Sequence, residues 1–395
     1  MISFSKLLLD APHDGDRLRY VPAANGQTRG AAAGLGPVVV WNCTRACNLA
    51  CRHCYATARP EQDSDELSTA EAKVLIDSLA AYRVPALLLS GGEPLMRPDL
   101  FELLDYSAKC DLRTVISTNG TLITPEAAQA IKKARVSYVG ISLDGLQQVN
   151  DRFRGHHGAY FQTLQGFDNC RAVGQKTGLR LSLSRTTFQE LPAIFNLIEA
   201  RKIERVCLYH LVYSGRGAQL KDEELTPAEK RQTLDFIIEK TLDFGARNIP
   251  TEILTVDNHC DALYLYLYMK QKDPARAERI FELLTINGGN RSGVAIGAID
   301  WKGEVYIDQF TRDRSLGNIR RQSFAEIWNG EDNSFLTKLR NRRQYLTGRC
   351  AACRWLPQCN GNFRARAAST GDFWSSDPAC YLTDEEIFFN YRKQL

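Results

Sequence analysis

The sequence predicts a parallel α/β fold. Short apolar runs rich in Val, Ile and Leu recur between residues 37 and 212, and amphipathic stretches of helical period separate them. Polar or glycine-rich turns follow the apolar runs. Strands alternating with helices build βαβ units wound with one hand, open or closed into a barrel. Strands that read as nearly continuous apolar runs suit a sheet covered by helices. A chain of 395 residues can bury a large core and suits one big domain with an appendage.

Residues 1–36 mix charge with Gly and Ala and end in Gly30-Ala-Ala-Ala-Gly-Leu-Gly36, which reads as a tail or lid leading into the first strand. Six strands are then predicted: PVVVWNC (37–43), ALLLS (86–90), LRTVIST (112–118), VSYVGISLD (136–144), LRLSLSR (179–185) and RVCLYHLV (205–212). Helices fill the intervals at 68–82, 98–109, 125–134, 159–173 and 191–202. Together residues 37–220 make the core. Residues 221–290 read as a helical linker region, with KDEELTPAEKRQTLDFIIEKTLDFGAR its clearest amphipathic pattern. Asn287–Gly293 is a glycine-rich loop, and Val294–Ile299, the Lys302-Gly303 turn and Glu304–Ile307 predict a β-hairpin opening a last unit, 291–395.

Fifty basic and 46 acidic residues give a net charge of +4, which carries no argument for nucleic acid. No apolar run approaches membrane-spanning length. MISFSKLLLD is too short and interrupted for a secretory signal. Twelve cysteines without an export signal suggest a reducing, cytoplasmic setting and metal ligation.

The densest chemistry lies just after the first strand, where Cys47-Asn-Leu-Ala-Cys51-Arg-His53-Cys54-Tyr55 brings three thiols into one short loop. A [4Fe-4S] cluster normally takes four thiolates, so three leave one iron open to a ligand. Cys-x2-Cys also opens zinc sites, but no second pair follows before Cys110. Cys43 ends the first strand and reads as a buried thiol.

The other polar turns fall where strands end, the rim that carries chemistry in such folds. Strand two runs into Ser90-Gly91-Gly92-Glu93-Pro94, whose glycines allow close backbone approach and whose carboxylate can accept from an ammonium group. Strand three ends in Ser117-Thr-Asn119-Gly and strand four in Ser142-Leu-Asp144-Gly, which are ordinary turn sequences or ribose and carboxylate contacts. Strand six carries His210, Tyr213 and Arg216, candidates for substrate contact or proton transfer, although a buried, satisfied histidine is the commoner outcome. His156, His157 and His259 are no better supported.

A second set, Cys350-x2-Cys353-x5-Cys359-x20-Cys380, has four thiols, enough to close an iron-sulfur cluster or a tetrahedral zinc site. Cys110, Cys170, Cys207 and Cys260 sit in strand or helix patterns and read as small core residues.

The three-cysteine loop followed by GGEP resembles the radical S-adenosylmethionine (radical SAM) enzymes, and His53 stands where that family usually has an aromatic residue. The resemblance implies a partial (β/α)6 TIM-like barrel and a [4Fe-4S] cluster on Cys47, Cys51 and Cys54. SAM would chelate the open iron, with contacts to His53, Tyr55, Gly91, Gly92, Glu93, Ser117, Asn119, Ser142, Asp144 and Arg185. Gly317-Asn-Ile, Glu326-Ile-Trp328 and the later cysteines resemble the family's SPASM or twitch appendage, implying a second [4Fe-4S] cluster on Cys350, Cys353, Cys359 and Cys380. Asn290 and Asp308 stand about where a further cluster would need cysteines, so one auxiliary cluster is implied.

VVVWNCTRACNLACRHCYA, YHLVYSGRG, INGGNRSG, IDWKGEV, CNGNFRARA and DPACYLTDEEI resemble the tetrapyrrole-tailoring members of haem d1 biosynthesis. That likeness implies a 5'-deoxyadenosyl radical removing propionate side chains from 12,18-didecarboxysirohaem, with a flavodoxin or ferredoxin as electron donor. Arg152, Arg154, Arg216, Arg291, Arg364 and Arg366 are candidate clamps for the substrate's carboxylates, two or more being expected at the pocket. The rival readings are a haem-pathway propionate decarboxylase, a peptide-modifying relative, or a non-catalytic iron-sulfur scaffold or electron carrier, which would have no use for Gly91, Gly92 and Glu93.

Overall fold

A computed structural model of the chain describes residues 1–21, 30–330 and 333–388. Its strands are β1 (Ile2–Ser3), β2 (Val38–Thr44), β3 (Leu87–Gly91), β4 (Thr114–Thr118), β5 (Tyr138–Ser142), β6 (Thr177–Leu183), β7 (Arg205–His210), β8 (Glu252–Val256), β9 (Ile296–Ile299), β10 (Glu304–Tyr306) and β11 (Gly317–Asn318). They form one open sheet in the order β1-β8-β7-β6-β5-β4-β3-β2-β9-β10-β11. Strands β2 to β8 run parallel in chain order, β9 adds parallel to β2, and β1 caps β8 antiparallel.

Strand alternation divides the sheet into two chemistries. Val39, Trp41, Leu87, Leu89, Ile116, Val139, Ile141, Leu179, Leu181, Val206, Leu208 and Ile253 point outward into one core shared with the helices. The opposite, concave face is smaller and more polar, with Asn42, Ser90, Ser117, Ser142, Arg180 and Tyr209 among its residues. Two of the helices that cover the outer face start on capping boxes, Ser68 with Glu71 and Thr226 with Glu229, which satisfy orphan N–H groups at both ends of the motif.

Two expected units are corrected. Residues 1–21 are not a loose tail: Ile2 and Ser3 pair with β8, and Phe4 and Leu7 are fully buried on the helix Phe4–Leu9, which packs against the helix Pro227–Ala246. Residues 22–29, within the expected tail, lie outside the described residues. Residues 221–290 are not wholly helical, because Glu252–Val256 is the seventh parallel strand. Its five residues are all buried, and a run that short between two long helical patterns is easily absorbed into them.

The expected hairpin forms as β9 and β10, and it continues the main sheet through β2. Beyond it, Arg366 ties the carboxyl-terminal segment to the barrel rim. Its guanidinium, fully buried, pairs with Asp377 at 2.8 Å and donates to the carbonyls of Leu211 at 3.1 Å and Asp257 at 2.5 Å. Asp377 also accepts from the backbone of Phe363 and Ala379. Removing one partner of such a pair leaves an uncompensated buried charge. Asp377→Ala is expected to lower the free energy of unfolding by about 3–5 kcal/mol in denaturant titration; a loss below 1 kcal/mol would contradict this anchoring role.

Candidate active site at the carboxyl rim of the sheet

The loop after β2 is held by its neighbours at every turn. Cys47 N–H donates to the Arg59 carbonyl at 2.8 Å, and Arg52 N–H to that of Phe153 at 3.0 Å. Arg216 reaches across from the segment after β7, with its backbone N–H on the Cys54 carbonyl and its guanidinium on those of Cys51 at 2.9 Å and Ala58 at 2.7 Å. Gly215 makes that approach possible. Its φ is +57°, and a Cβ there would sit 2.4 Å from the Tyr55 carbonyl oxygen. Arg216 therefore shapes the cysteine loop.

Each thiol of the loop receives a donor: Leu49 N–H on Cys47 Sγ at 3.4 Å, Ala58 N–H on Cys54 Sγ at 3.4 Å and Arg154 Nη1 on Cys51 Sγ at 3.7 Å. Burial pushes the Cys47 thiol up to about 12 and also raises Cys51. Uncompensated, these sulfurs stay protonated; donors aimed at them suit thiolates bound to iron, which must be anionic. Among the described residues no three donors converge on one point as a single ion needs. A four-iron cube takes one thiol per iron, so the loop's chemistry fits it.

Asp144 organises the next shell. Its carboxylate pairs with Arg154, accepts from Ser182 N–H at 2.6 Å and lies 3.9 Å from His53 Nε2. His53 stacks on Phe153 with centroids 4.6 Å apart, and burial pushes its pKa down to about 4, so the ring is neutral. Glu93 is fully buried, with Oε1 accepting from Thr118 Oγ1 at 2.7 Å and Oε2 from Asn119 N–H at 2.7 Å. Gly91 and Gly92 lie against the backbone of the cysteine loop, where Cβ atoms would fall 2.3 Å from the Thr44 oxygen and 2.0 Å from the Ala46 oxygen. The Asn119 side chain bonds Asn48, inside the cysteine loop, at 2.8 Å. Tyr55 Oη donates to Asn42 Oδ1 at 2.9 Å and lies 3.1 Å from Ser90 Oγ.

The structure thus gathers His53, Tyr55, Gly91, Gly92, Glu93, Asn119 and Asp144 around the cysteine loop. Ser117 and Ser142 lie on the concave face beside Arg180, which donates to Ser117 Oγ at 2.5 Å. Arg185 stands apart: it starts the short helix after β6, half exposed, near Glu229 at 3.6 Å and the Asp222 carbonyl at 3.4 Å. His210 is corrected as a site residue. It shares the outward face of β7 with Val206 and Leu208, is buried, and bonds Asp261 Oδ2 at 2.9 Å, while Asp261 Oδ1 accepts from Tyr381 Oη. Tyr209, one residue earlier, faces the concave side. Tyr213 packs on Phe153, Leu211 and Leu220.

The six candidate arginine clamps divide. Arg364 is spent on the carbonyls of Gly361, Phe373 and Ser375, Arg366 on Asp377, and Arg291 on those of Gly30 and Ala31. Arg152 is exposed. Of the six, only Arg154 and Arg216 touch the site, and both serve the cysteine loop.

Cys350, Cys353, Cys359 and Cys380 gather under the appendage, Cys359 buried and the others half-buried. Asn290 and Asp308 are hydrogen-bond nodes: Asn290 Oδ1 accepts from Arg342 at 2.6 Å, and Asp308 Oδ1 from Phe310 and Thr311 N–H. Cys260 is a residue the sequence reading missed. Its thiol hydrogen-bonds those of Cys359 and Cys380, pulling Cys380 down to about 7 while its own pKa rises. Only its place as the first residue of a helix, after a strand that went unrecognised, hinted at a rim position. Cys43, Cys170 and Cys207 are buried.

Residues 41–198 match the Radical SAM superfamily, and residues 295–354 match an iron-sulfur cluster-binding domain, SPASM. The chain is 47% identical over 397 aligned positions to the Fe-coproporphyrin III synthase of Methanosarcina barkeri, covering 98% of this chain and 99% of that protein. It is 39% identical to the pre-heme d1 synthase of Dinoroseobacter shibae, over 89% of this chain and 87% of that one. Among solved structures, Streptococcus suis SuiB bound to S-adenosylmethionine superposes with a TM-score of 0.71 at 16% identity, over 88% of this chain and 78% of that one.

Two separate cysteine sets make a quantitative prediction. Cys51→Ala and Cys353→Ala should each lower the iron content of the anaerobically reconstituted protein by about half, and the double variant should hold almost none. Loss of all iron from either single variant would contradict two independent sites.

Proposed function

The chain belongs to the radical SAM superfamily, and from that premise we propose that it removes carboxyalkyl side chains from an iron tetrapyrrole. The observation that carries this reading is the end-to-end likeness to Fe-coproporphyrin III synthase, at 47% identity. Cys47, Cys51 and Cys54 would hold the cluster at the rim, and with SAM bound it would supply the one-electron radical chemistry needed to take hydrogen from the side chain to be lost.

The chain's own residues do the positioning. Glu93 accepts from the SAM ammonium group, with Thr118 and Asn119 fixing its rotamer. Tyr55, Asn42 and Ser90 form a polar shelf beside it, and Asp144 holds Arg154 against the Cys51 sulfur.

Two finer readings differ in the side chain removed. A coproporphyrin keeps its propionates, so a product of that kind requires loss of the ring acetates from didecarboxysirohaem. The haem d1 reading requires loss of propionates, and the 39% likeness to pre-heme d1 synthase supports it. The higher identity and fuller coverage favour acetate loss, which replaces the propionate expectation as the first choice.

Anaerobic turnover with SAM, a reductant and didecarboxysirohaem, following 5'-deoxyadenosine and tetrapyrrole mass together, is expected to give 5'-deoxyadenosine only with the tetrapyrrole and a mass loss of two acetate-derived units. A propionate-derived loss would select the second reading; SAM cleavage with an unchanged tetrapyrrole would overturn both.

Glu93 adds a pH test. Burial raises its pKa to about 6 from an ordinary 4.5. The folded state thus holds this proton more tightly, a contribution to stability present below about 4.5 and lost as the pH rises through about 6. An ammonium group needs the carboxylate, so SAM affinity should fall about tenfold between pH 7 and pH 5. Glu93→Gln should flatten that profile; an unchanged slope would remove Glu93 from the SAM site.

A further inference from the structure

Elsewhere on the concave side of the sheet arginines are neutralised by carboxylates, Arg312 by Asp300 at 3.4 Å among them. Arg205 and Arg19 both pair with Glu252, each at 2.5 Å. Arg180, at the middle of β6, is not: among the described residues no carboxylate pairs with it, and its one hydrogen bond is from Nη1 to the neutral Ser117 Oγ. Its Nε is buried without a partner. The guanidinium lies 5.9 Å from the centre of the Tyr209 ring, and the Tyr138 hydroxyl, facing the same lumen, is also buried and unpartnered. The fold makes room for this cation, since a Cβ on Gly140 would sit 2.2 Å from Arg180 Nε. A desolvated guanidinium without a counter-charge is costly unless an anion arrives to meet it.

We infer that Arg180 receives a carboxylate of the substrate, gripping one side chain of the tetrapyrrole within the lumen. The inference rests on the tetrapyrrole reading above. A planar fork with a free edge suits a carboxylate in bidentate contact. The SAM carboxylate is the other carboxylate available, but SAM is expected to chelate the open iron at the loop after β2. Arg180 springs from β6, four strands from β2, and its guanidinium reaches back to Ser117 on β4, so the test below separates the two carboxylates by reading SAM and tetrapyrrole binding side by side. Ser117 and Tyr138 would present hydroxyls to the same group, making Arg180 a residue that sets substrate affinity and register.

The test is titration of didecarboxysirohaem and of its methyl ester into cluster-loaded protein, read by visible absorption, beside SAM binding read from the cluster's electron paramagnetic resonance signal. For Arg180→Met, tetrapyrrole affinity should fall by about tenfold or more with SAM affinity unchanged within twofold. Arg180→Lys should fall in between, and the ester should bind wild type as weakly as the acid binds the Met variant. Circular dichroism checks folding, and the Lys variant with the ester carries the test if the Met variant does not fold. Equal tetrapyrrole binding by wild type and variants overturns the inference, as does a loss confined to SAM, which would assign the carboxylate to SAM. A wild-type protein that binds no tetrapyrrole overturns both the inference and the reading beneath it.

Discussion

Three sulfurs held in one loop, those of Cys47 and Cys51 buried, are the constraint on which the site depends. Burial alone raises the thiols of Cys47 and Cys51, so without iron the loop favours neutral sulfur and has little reason to converge. Convergence is imposed from outside: Arg216 and Gly215 come from the segment after β7, Arg154 from the helix after β5, Gly91 and Gly92 from the end of β3. Three parts of the barrel thus meet on the loop after β2, and the open sheet brings their strand ends to one rim.

That arrangement reassigns several charged residues. Arg216 and Arg154 lie close to the chemistry, yet their hydrogen bonds go to loop carbonyls, to a sulfur and to Asp144. Arg366 is committed to holding the appendage on the barrel, and Arg364 to carbonyls within the appendage. Sequence proximity to a motif marks these arginines; strand alternation, not proximity, decides which cation faces the lumen. Arg180 follows Leu179 and precedes Leu181, so it takes the concave face while both leucines join the core.

Much of the fold was legible because its signals are local. The apolar runs that became β2 to β7, the capping boxes and the glycines beside Glu93 can be read in short windows. The departures are long-range. Ile2 and Ser3 look unremarkable until β8 is there to pair with them, and β8 itself is five residues between helical patterns. His210 sits among polar rim residues in sequence, but the period of the strand turns it to Asp261, which lies 51 residues further on. Cys260 reads as a core thiol for the same reason, since its neighbours Cys359 and Cys380 arrive from the far end of the chain.

The account's central claim is an open iron on the loop cluster beside a fully ligated cluster on the later cysteines. Electron paramagnetic resonance of the reduced protein, recorded before and after adding SAM, tests it most directly. The account predicts two cluster signals, of which SAM perturbs only the one abolished by Cys51→Ala, leaving the one abolished by Cys353→Ala unchanged. A SAM effect on the latter signal, or on neither, would contradict it.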